Sequence, residues 1–351
     1  MNLNMHPVVH KLGIMAKQTP KMRYDGSVAF CEWQKAAKEK LSELLGMDKF
    51  QKCDESFSIT SETFGEEYKE YRFTLQSEEN YHFPCVLRIP NKSSRRNSDG
   101  KLPLVICLQG HSRGAHVSIA EVKFEHDKIS INERDSAYCV QAVKEGYAAM
   151  SVEQRSCGVC GSRVEDGIPD CEFSSMIGIM MGRTAIGERV WDVSCAIDAV
   201  ENHFSEFIDL GDISLMGSSG GGTASYYAAC LDERIKCVMP SASICTWEES
   251  ITALLHCLCN YVPHIAEYFN MGDIGGMIAP RGLVVVNGAE DDIFRKKGVD
   301  ESFEIIKSLY SAAGVPENCV HVEGPNGHRF YAALAWPVFN EMKERLKKEN
   351  A

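Results

Sequence analysis

The sequence predicts a doubly wound α/β fold, in which a mostly parallel sheet carries helices on both faces. Short, almost unbroken apolar runs follow residue 100, and such runs are typical of parallel strands that are buried on both faces. The runs are "LPLVICLQG", "GYAAMSVEQ", "DISLMG", "RIKCVMPSA", "RGLVVVNG" and "NCVHVEG". Helical patterns separate them, and this alternation favours a parallel sheet. The predicted helices cover residues 133–145, 186–203, 220–231, 301–313 and 331–348.

The first 90 residues have a different pattern. Apolar residues recur at helical spacing over residues 27–45, with lysines and glutamates between them. They are Phe30, Trp33, Ala37, Leu41 and Leu44. Residues 56–90 alternate apolar and polar side chains, which is typical of antiparallel strands with one face in water. We therefore divide the chain into an N-terminal helical extension, residues 1–55, and an α/β domain, residues 56–351, on which the extension packs.

Two connections are too long to be plain loops. They cover residues 156–185 and 246–280, and each follows a predicted parallel strand. Long connections at the carboxyl edge of a parallel sheet commonly form binding sites. We expect these two segments to roof the functional site.

The composition describes a globular protein with an acidic surface. Of the 351 residues, 44% are hydrophobic and 25% are charged, and the formal net charge is -12. This charge argues against a nucleic acid or an anionic membrane as the main partner. The start "MNLNMHPVVHKLG" lacks the pattern of a signal peptide, so we expect a cytoplasmic protein. The sequence leaves the oligomeric state open, with a homo-oligomer among the alternatives.

The chain has 15 cysteines, and most of them lie inside apolar runs, which is typical of reduced thiols in a core. Two clusters could each supply half of a zinc site. They are Cys157, Cys160 and Cys171, and His256, Cys257, Cys259 and His264. Because neither cluster contains two Cys-x-x-Cys pairs, we predict neither a metal ion nor an organic cofactor.

A glycine-rich turn joins the predicted strand "DISLMG" to the helix at 220–231. Its sequence "LMGSSGGGT" contains G-x-S-x-G, from Gly217 to Gly221, and this strand-to-helix context is the one that a nucleophile elbow requires. The motif makes Ser219 the candidate nucleophile and Ser218 the second choice. The alternatives are a plain glycine-rich turn or a phosphate-binding loop, although a P-loop needs a lysine that is missing here.

A serine nucleophile needs a histidine base and a carboxylate that orients it, and in this fold they follow the serine in the order acid, then histidine. The segment "VNGAEDDIF" offers Glu290, Asp291 and Asp292, of which Asp291 fills the last place of Gly-x-x-Asp and Asp292 is the reserve. The alternative for this segment is a solvated acidic turn. The later segment "HVEGPNGHRF" places His328 on a glycine-flanked loop, whereas His321 lies within a strand and is predicted to pack there.

An oxyanion hole needs two backbone N–H groups. We assign them to Gly220, which directly follows the nucleophile, and to His111 in the loop "CLQGHSRGAH". Three residues of the second long connection, Trp247, His256 and Tyr261, are candidates to line an acyl or sugar pocket, with core packing as the alternative.

The chain resembles bacterial α/β-hydrolases of the acetyl-xylan-esterase and dienelactone-hydrolase-like group. The matching segments include "VICLQGHSRG", "VEQRSCG", "MMGRTAIGERVWDVSCAID", "LMGSSGGGT", "HCLCNYVPH", "MIAPRGLVVVNGAEDDIF" and "GPNGHRF". The resemblance implies a serine esterase for small acyl esters, in which Ser219, Asp291 and His328 match the triad positions. Dienelactone hydrolases proper carry a cysteine nucleophile, and this chain has Ser219 instead.

We therefore expect a carboxylic ester hydrolase whose partner is a small-molecule ester, such as an acetylated carbohydrate. The first alternative is a serine peptidase of the same fold, but such enzymes usually carry a large gating domain, and the short N-terminal extension is too small for one. The second alternative is a non-catalytic ligand-binding protein, which would not need a complete triad.

Overall fold

This computed structural model describes residues 6–162, 165 and 168–349. The strands of this part of the chain form one nine-stranded sheet. The strand order is β1-β2-β3-β5-β4-β6-β7-β8-β9. The strands are β1 (Ser58–Phe64), β2 (Tyr68–Glu78), β3 (Tyr81–Pro90), β4 (Leu102–Leu108), β5 (Ala148–Val152), β6 (Ile208–Ser218), β7 (Ile235–Ser241), β8 (Gly282–Gly288) and β9 (Cys319–Gly324).

The pairing divides the sheet into two parts. Strands β4 to β9 pair in parallel, and β1, β2 and β3 form an antiparallel meander that joins the rest through β5. The predicted α/β class with a mostly parallel sheet is therefore confirmed, including the antiparallel strands of residues 56–90.

Helices cover both faces of the sheet. They are α1 (Pro7–Met15), α2 (Phe30–Leu45), α3 (Glu125–Glu133), α4 (Tyr138–Lys144), α5 (Cys171–Met180), α6 (Ala185–His203), α7 (Gly220–Leu231), α8 (Ile265–Tyr268), α9 (Met271–Gly275), α10 (Lys296–Ala312) and α11 (Ala332–Glu349). Among the described residues, none of these helices has the length and apolar character needed to cross a bilayer.

Alternate side chains of one strand enter two separate cores. In β4, Leu104 and Ile106 join the core under α2, α6 and α7, whereas Val105 and Cys107 join the core under α4 and α11. Every second side chain of a strand points to the same face, so a strand covered on both faces must be apolar throughout. This explains the unbroken apolar runs of the central strands.

The predicted N-terminal helix is α2, which packs on α6 and α7. Its buried side chains are Trp33, Ala37, Leu41 and Leu45, and the indole N–H of Trp33 donates to the carbonyl oxygen of Met22 at 2.7 Å. The division at residue 55 stays a prediction.

One predicted helix is wrong in its extent. The pattern at 133–145 belongs to two helices, α3 and α4, which are separated at Asp135. Asp135 has φ 54°, a left-handed conformation that interrupts a helix, and its carboxylate accepts a hydrogen bond from Arg329 at 2.5 Å. The break thus coincides with a long-range ion pair, which the local pattern does not reveal.

Candidate active site

The turn between β6 and α7 holds Ser219 in a strained conformation. Its backbone angles are φ 54° and ψ −124°, which L-residues rarely adopt. The backbone N–H of Ser219 donates to the carbonyl oxygen of Ser241 at 2.8 Å, so the neighbouring strand holds the turn in place. This is the strained strand-to-helix turn that a nucleophile elbow requires.

The glycines of the turn make room for its backbone. A Cβ atom on Gly217 would stand 2.4 Å from the carbonyl oxygen of Gly221, and one on Gly221 would stand 2.2 Å from that of Leu108. No side chain fits at such distances, so both motif glycines are sterically required. The second candidate, Ser218, is buried in β6, whereas Ser219 is partly exposed.

Asp291 and His328 form a hydrogen-bonded pair. Asp291 Oδ2 lies 2.8 Å from His328 Nδ1, and Asp291 Oδ1 accepts the backbone N–H groups of Ile293 at 2.8 Å and Phe294 at 3.0 Å. The His328 ring also stacks on Phe294, with ring centroids 5.8 Å apart. The carboxylate is thus fixed in direction and buried, while the reserve candidate Asp292 is exposed.

Ser219 and His328 line the same cavity, which has a volume of about 520 Å³. Both long connections contribute to its wall, the first through Ile168 and Pro169 and the second through residues 254–257. Most of the other lining side chains are polar. They include Gln109, His111, Ser112, Arg113, His126, Ser130, Arg134, Ser136 and Arg329.

The loop that carries His111 lies against the elbow. A Cβ atom on Gly110 would stand 3.2 Å from Ser219 Cβ, and one on Gly220 would stand 2.9 Å from the His111 ring. The two segments assigned to the oxyanion hole are therefore in contact. The assignment of the N–H groups of His111 and Gly220 stays a prediction.

Glu153 is absent from the set of predicted site residues, yet its carboxylate holds this loop in place. Its Oε1 atom accepts hydrogen bonds from Gln109 Nε2 at 2.9 Å and from the backbone N–H of Ala115 at 3.0 Å, so it joins both ends of the loop that carries His111. Glu153 is only 5% exposed. A glutamate directly after the buried run "AAMSV" was the signal, because a carboxylate in such a position is costly without a role.

Burial raises the pKa of Glu153 to about 8. Between about pH 5 and pH 8 the folded protein keeps a proton that the unfolded chain loses, so the free energy of unfolding falls as the pH rises. We expect the Glu153→Gln variant to lose this pH dependence, which changes the free energy of unfolding by up to about 1.4 kcal/mol per pH unit. Urea unfolding of the wild type and the variant at several pH values measures this difference. If the free energy of unfolding changes with pH in the same way in both proteins, the raised pKa of Glu153 is contradicted.

The three predicted pocket residues have different positions. His256 lines the cavity, and burial lowers the pKa of this histidine to about 4, so its ring is neutral at pH 7. Trp247 and Tyr261 do not line this cavity. Trp247 is buried with its indole N–H bonded to the Phe269 carbonyl at 2.7 Å, and both side chains line a separate pocket near α1.

His321 lies in β9, as predicted, and is hydrogen-bonded to Asn287. The cysteine clusters, by contrast, are arranged in a way that the sequence did not predict. Cys171 from the first long connection lies beside Cys257 and Cys259 from the second, and the three thiols meet the ring of His111.

Comparison with known proteins agrees with this architecture. The profile of the Abhydrolase family matches residues 3–336. A curated relative, "Putative hydrolase YtaP" of Bacillus subtilis (strain 168), is 25% identical over 190 residues, which are 52% of this chain and 60% of YtaP. The chain therefore matches less than two thirds of the length of this relative.

Solved structures share the fold at low sequence identity. A putative acetyl xylan esterase from Bacteroides fragilis has a TM-score of 0.75 and 17% identity, with 92% of this chain and 82% of that chain covered. A glucuronoyl esterase from Solibacter usitatus has a TM-score of 0.65 and 14% identity, with 94% and 99% covered. With the family match over residues 3–336, these findings lead to one conclusion: the chain belongs to the Abhydrolase family and has the α/β-hydrolase fold.

Proposed function

We propose that the protein is a serine carboxylic-ester hydrolase that removes short acyl groups, acetyl above all, from carbohydrates or similar small molecules. One observation carries the proposal. The strained Ser219 lines the same cavity as His328, and Oδ2 of the buried Asp291 lies 2.8 Å from Nδ1 of that histidine. A plain structural turn would need neither the strain nor the ordered pair.

Each residue has a defined role in the proposed reaction. Ser219 Oγ attacks the ester carbonyl carbon, and His328 Nε2 takes the proton and later delivers it to the leaving alcohol. Asp291 keeps the proton of His328 on Nδ1, so that Nε2 is free to act as the base. Water then attacks the acyl carbon of the acyl-enzyme. His328 takes a proton from the water and returns it to Ser219 Oγ as the free acid leaves.

Negative charge develops on the carbonyl oxygen during both steps. In the proposal, the backbone N–H groups of Gly220 and His111 receive it, at the N-terminus of α7, where the helix dipole favours an anion. The Glu153 clamp supports this arrangement because it fixes the loop of His111 at both ends. The mechanism needs no organic cofactor.

The cavity lining favours a short acyl group and a polar alcohol. Hydroxyl, imidazole, amide and guanidinium groups line the cavity together with apolar side chains such as Leu254 and Ile293. A long alkyl chain would desolvate the polar groups without offering hydrogen bonds. The structural neighbours named as acetyl xylan and glucuronoyl esterases agree with carbohydrate esters. Action inside the cell remains part of the proposal and would confine the enzyme to imported, already shortened sugars.

A second candidate substrate is an ester of an acidic sugar. Three arginines, Arg113, Arg134 and Arg329, line the cavity of a protein whose formal net charge is -12. Among the described lining residues, Asp127 carries the one carboxylate, which is paired with His116 at 2.8 Å. Arg329 is itself paired with Asp135, so Arg113 and Arg134 contribute most of the excess charge. This local excess of positive charge would attract a substrate carboxylate.

We expect kcat/KM to fall from p-nitrophenyl acetate through butyrate to octanoate, by about 10-fold or more overall, which corresponds to roughly 1–3 kcal/mol of lost fit. Acetate release from acetylated xylo-oligosaccharides tests the carbohydrate part. A rise towards octanoate would contradict the short-acyl proposal. Faster cleavage of a uronic acid methyl ester than of acetylated sugars would favour the second candidate.

A further inference from the structure

Four potential metal ligands converge beside the catalytic cavity. The donor atoms of His111, Cys171, Cys257 and Cys259 all lie within 4.8 Å of one another. His111 Nε2 is 2.9 Å from Cys259 Sγ, and the sulfurs of Cys257 and Cys259 are 3.2 Å apart. Cys171 and Cys259 are buried, and the other two are partly buried.

These separations are close to those of a tetrahedral zinc site. Zn–S bonds of about 2.3 Å and Zn–N bonds of about 2.0–2.1 Å place two sulfurs about 3.8 Å apart and a sulfur and a nitrogen about 3.6 Å apart. An ion at the centre would move the closest pairs apart by less than about 1 Å, which side-chain rotation alone can supply.

The ligand types and the local charge also fit zinc. Three thiolates and one imidazole form a closed structural set, and soft sulfur ligands disfavour magnesium and calcium. Zn²⁺ with three thiolates carries a net charge of about −1. The buried guanidinium of Arg189 offsets this charge, with its Nη2 atom 3.3 Å from Cys171 Sγ. A buried cation beside a cluster of neutral thiols would lack such a partner.

From this geometry we propose that His111, Cys171, Cys257 and Cys259 bind one structural Zn²⁺ ion. The prediction of no metal treated the two cysteine clusters as separate half-sites, but the fold combines one residue of the first cluster with two of the second. The fourth ligand, His111, lies outside both clusters. No local sequence pattern could therefore reveal the set.

The proposed ion would join three segments that form the catalytic cavity. Cys171 begins α5 in the first long connection, Cys257 and Cys259 lie in the second, and His111 lies in the loop assigned to the oxyanion hole. A ligated His111 ring could not turn away from Gly220, which it contacts. Zinc would thus fix the cavity wall and the loop together, without taking part in the reaction.

Metal analysis of the purified full chain, grown with zinc and handled without chelator, tests the site. We expect about one zinc per chain, and less than about a tenth of that in Cys171→Ala and Cys259→Ala. Cys245→Ala is the matched control, because Cys245 is a buried thiol that directly precedes the second long connection and lies outside the cluster, and the variant should keep about one zinc per chain.

A spectroscopic measurement on the wild-type protein tests the site even where the variants fail to fold. The wild-type chain, emptied by a chelator and loaded with Co²⁺, should show thiolate charge-transfer bands and the intense d–d bands of a tetrahedral site, and zinc should remove them. Folded wild-type protein that takes up neither metal would overturn the proposal, as would undiminished zinc in Cys259→Ala or a Cys257–Cys259 disulfide in the metal-free native protein. Metal content does not depend on ester hydrolysis, so this result is independent of the proposed function.

Discussion

Ser219→Ala is expected to lower kcat for p-nitrophenyl acetate by about 10,000-fold or more, while the protein stays folded. In the proposed mechanism Ser219 forms the acyl-enzyme, so the variant would keep only the stabilisation that the proposed oxyanion hole gives to the attack of water. The Cβ of alanine occupies the place of the serine Cβ, so the strained turn is retained. A fluorophosphonate probe, followed by peptide mass spectrometry, should label Ser219 in the wild type and nothing in the variant.

The neighbouring Ser218 provides the control. It is 5% exposed and belongs to β6, so Ser218→Ala should keep most of the activity and should still be labelled at Ser219. Labelling at Ser218, or a Ser219→Ala enzyme that retains more than about a tenth of wild-type turnover, would contradict the proposed nucleophile. Circular dichroism melting curves of both variants would show that any loss is not due to unfolding.

Asp291→Asn is expected to lower kcat by about 1,000-fold or more. The asparagine Oδ1 atom can still accept the backbone N–H groups of Ile293 and Phe294. Its amide group would then face His328 Nδ1 as a donor and would favour the tautomer with the proton on Nε2. That tautomer cannot accept the proton of Ser219, so the geometry would remain while the base is lost.

Asp292→Asn is the matched control, since it makes the same chemical change one residue further along the chain. Asp292 is exposed, and its replacement should change kcat by less than about threefold. The ratio of the two losses in kcat tests the assignment of Asp291 as the partner of His328, because a general change in charge near the cavity would affect both variants alike. Equal losses, or a larger loss at Asp292, would transfer the role to the reserve candidate.

Local sequence patterns were sufficient for the sheet and for the elbow. The apolar runs identified the parallel strands because burial on both faces leaves no polar position in them, as the two cores on either side of β4 show. The G-x-S-x-G motif identified Ser219 because steric room for the turn depends on residues two positions before and after it. Each of these features is decided within about ten residues of chain.

Long-range contacts decided the features that the sequence missed. The helix break at Asp135 coincides with an ion pair to Arg329, a residue distant in the sequence. Glu153 reaches Gln109 and Ala115 from a neighbouring strand. The sequence leaves Trp247 open between a pocket and the core, because a tryptophan in a long connection can face either one, and only the tertiary packing buries it.

The sequence by itself determined the α/β class, the strained serine turn and the order in which the candidate acid and base follow it, since these are written in short-range spacing and periodicity. Only the tertiary structure decided which side chains meet. It placed Asp291 against His328 at 2.8 Å across 37 residues and brought Cys171 to Cys257, Cys259 and His111 from three separate segments. The physical reason is that contacts between distant segments are set by how the connections fold over the carboxyl edge of the sheet. That folding is set in turn by the packing of the whole core beneath the connections.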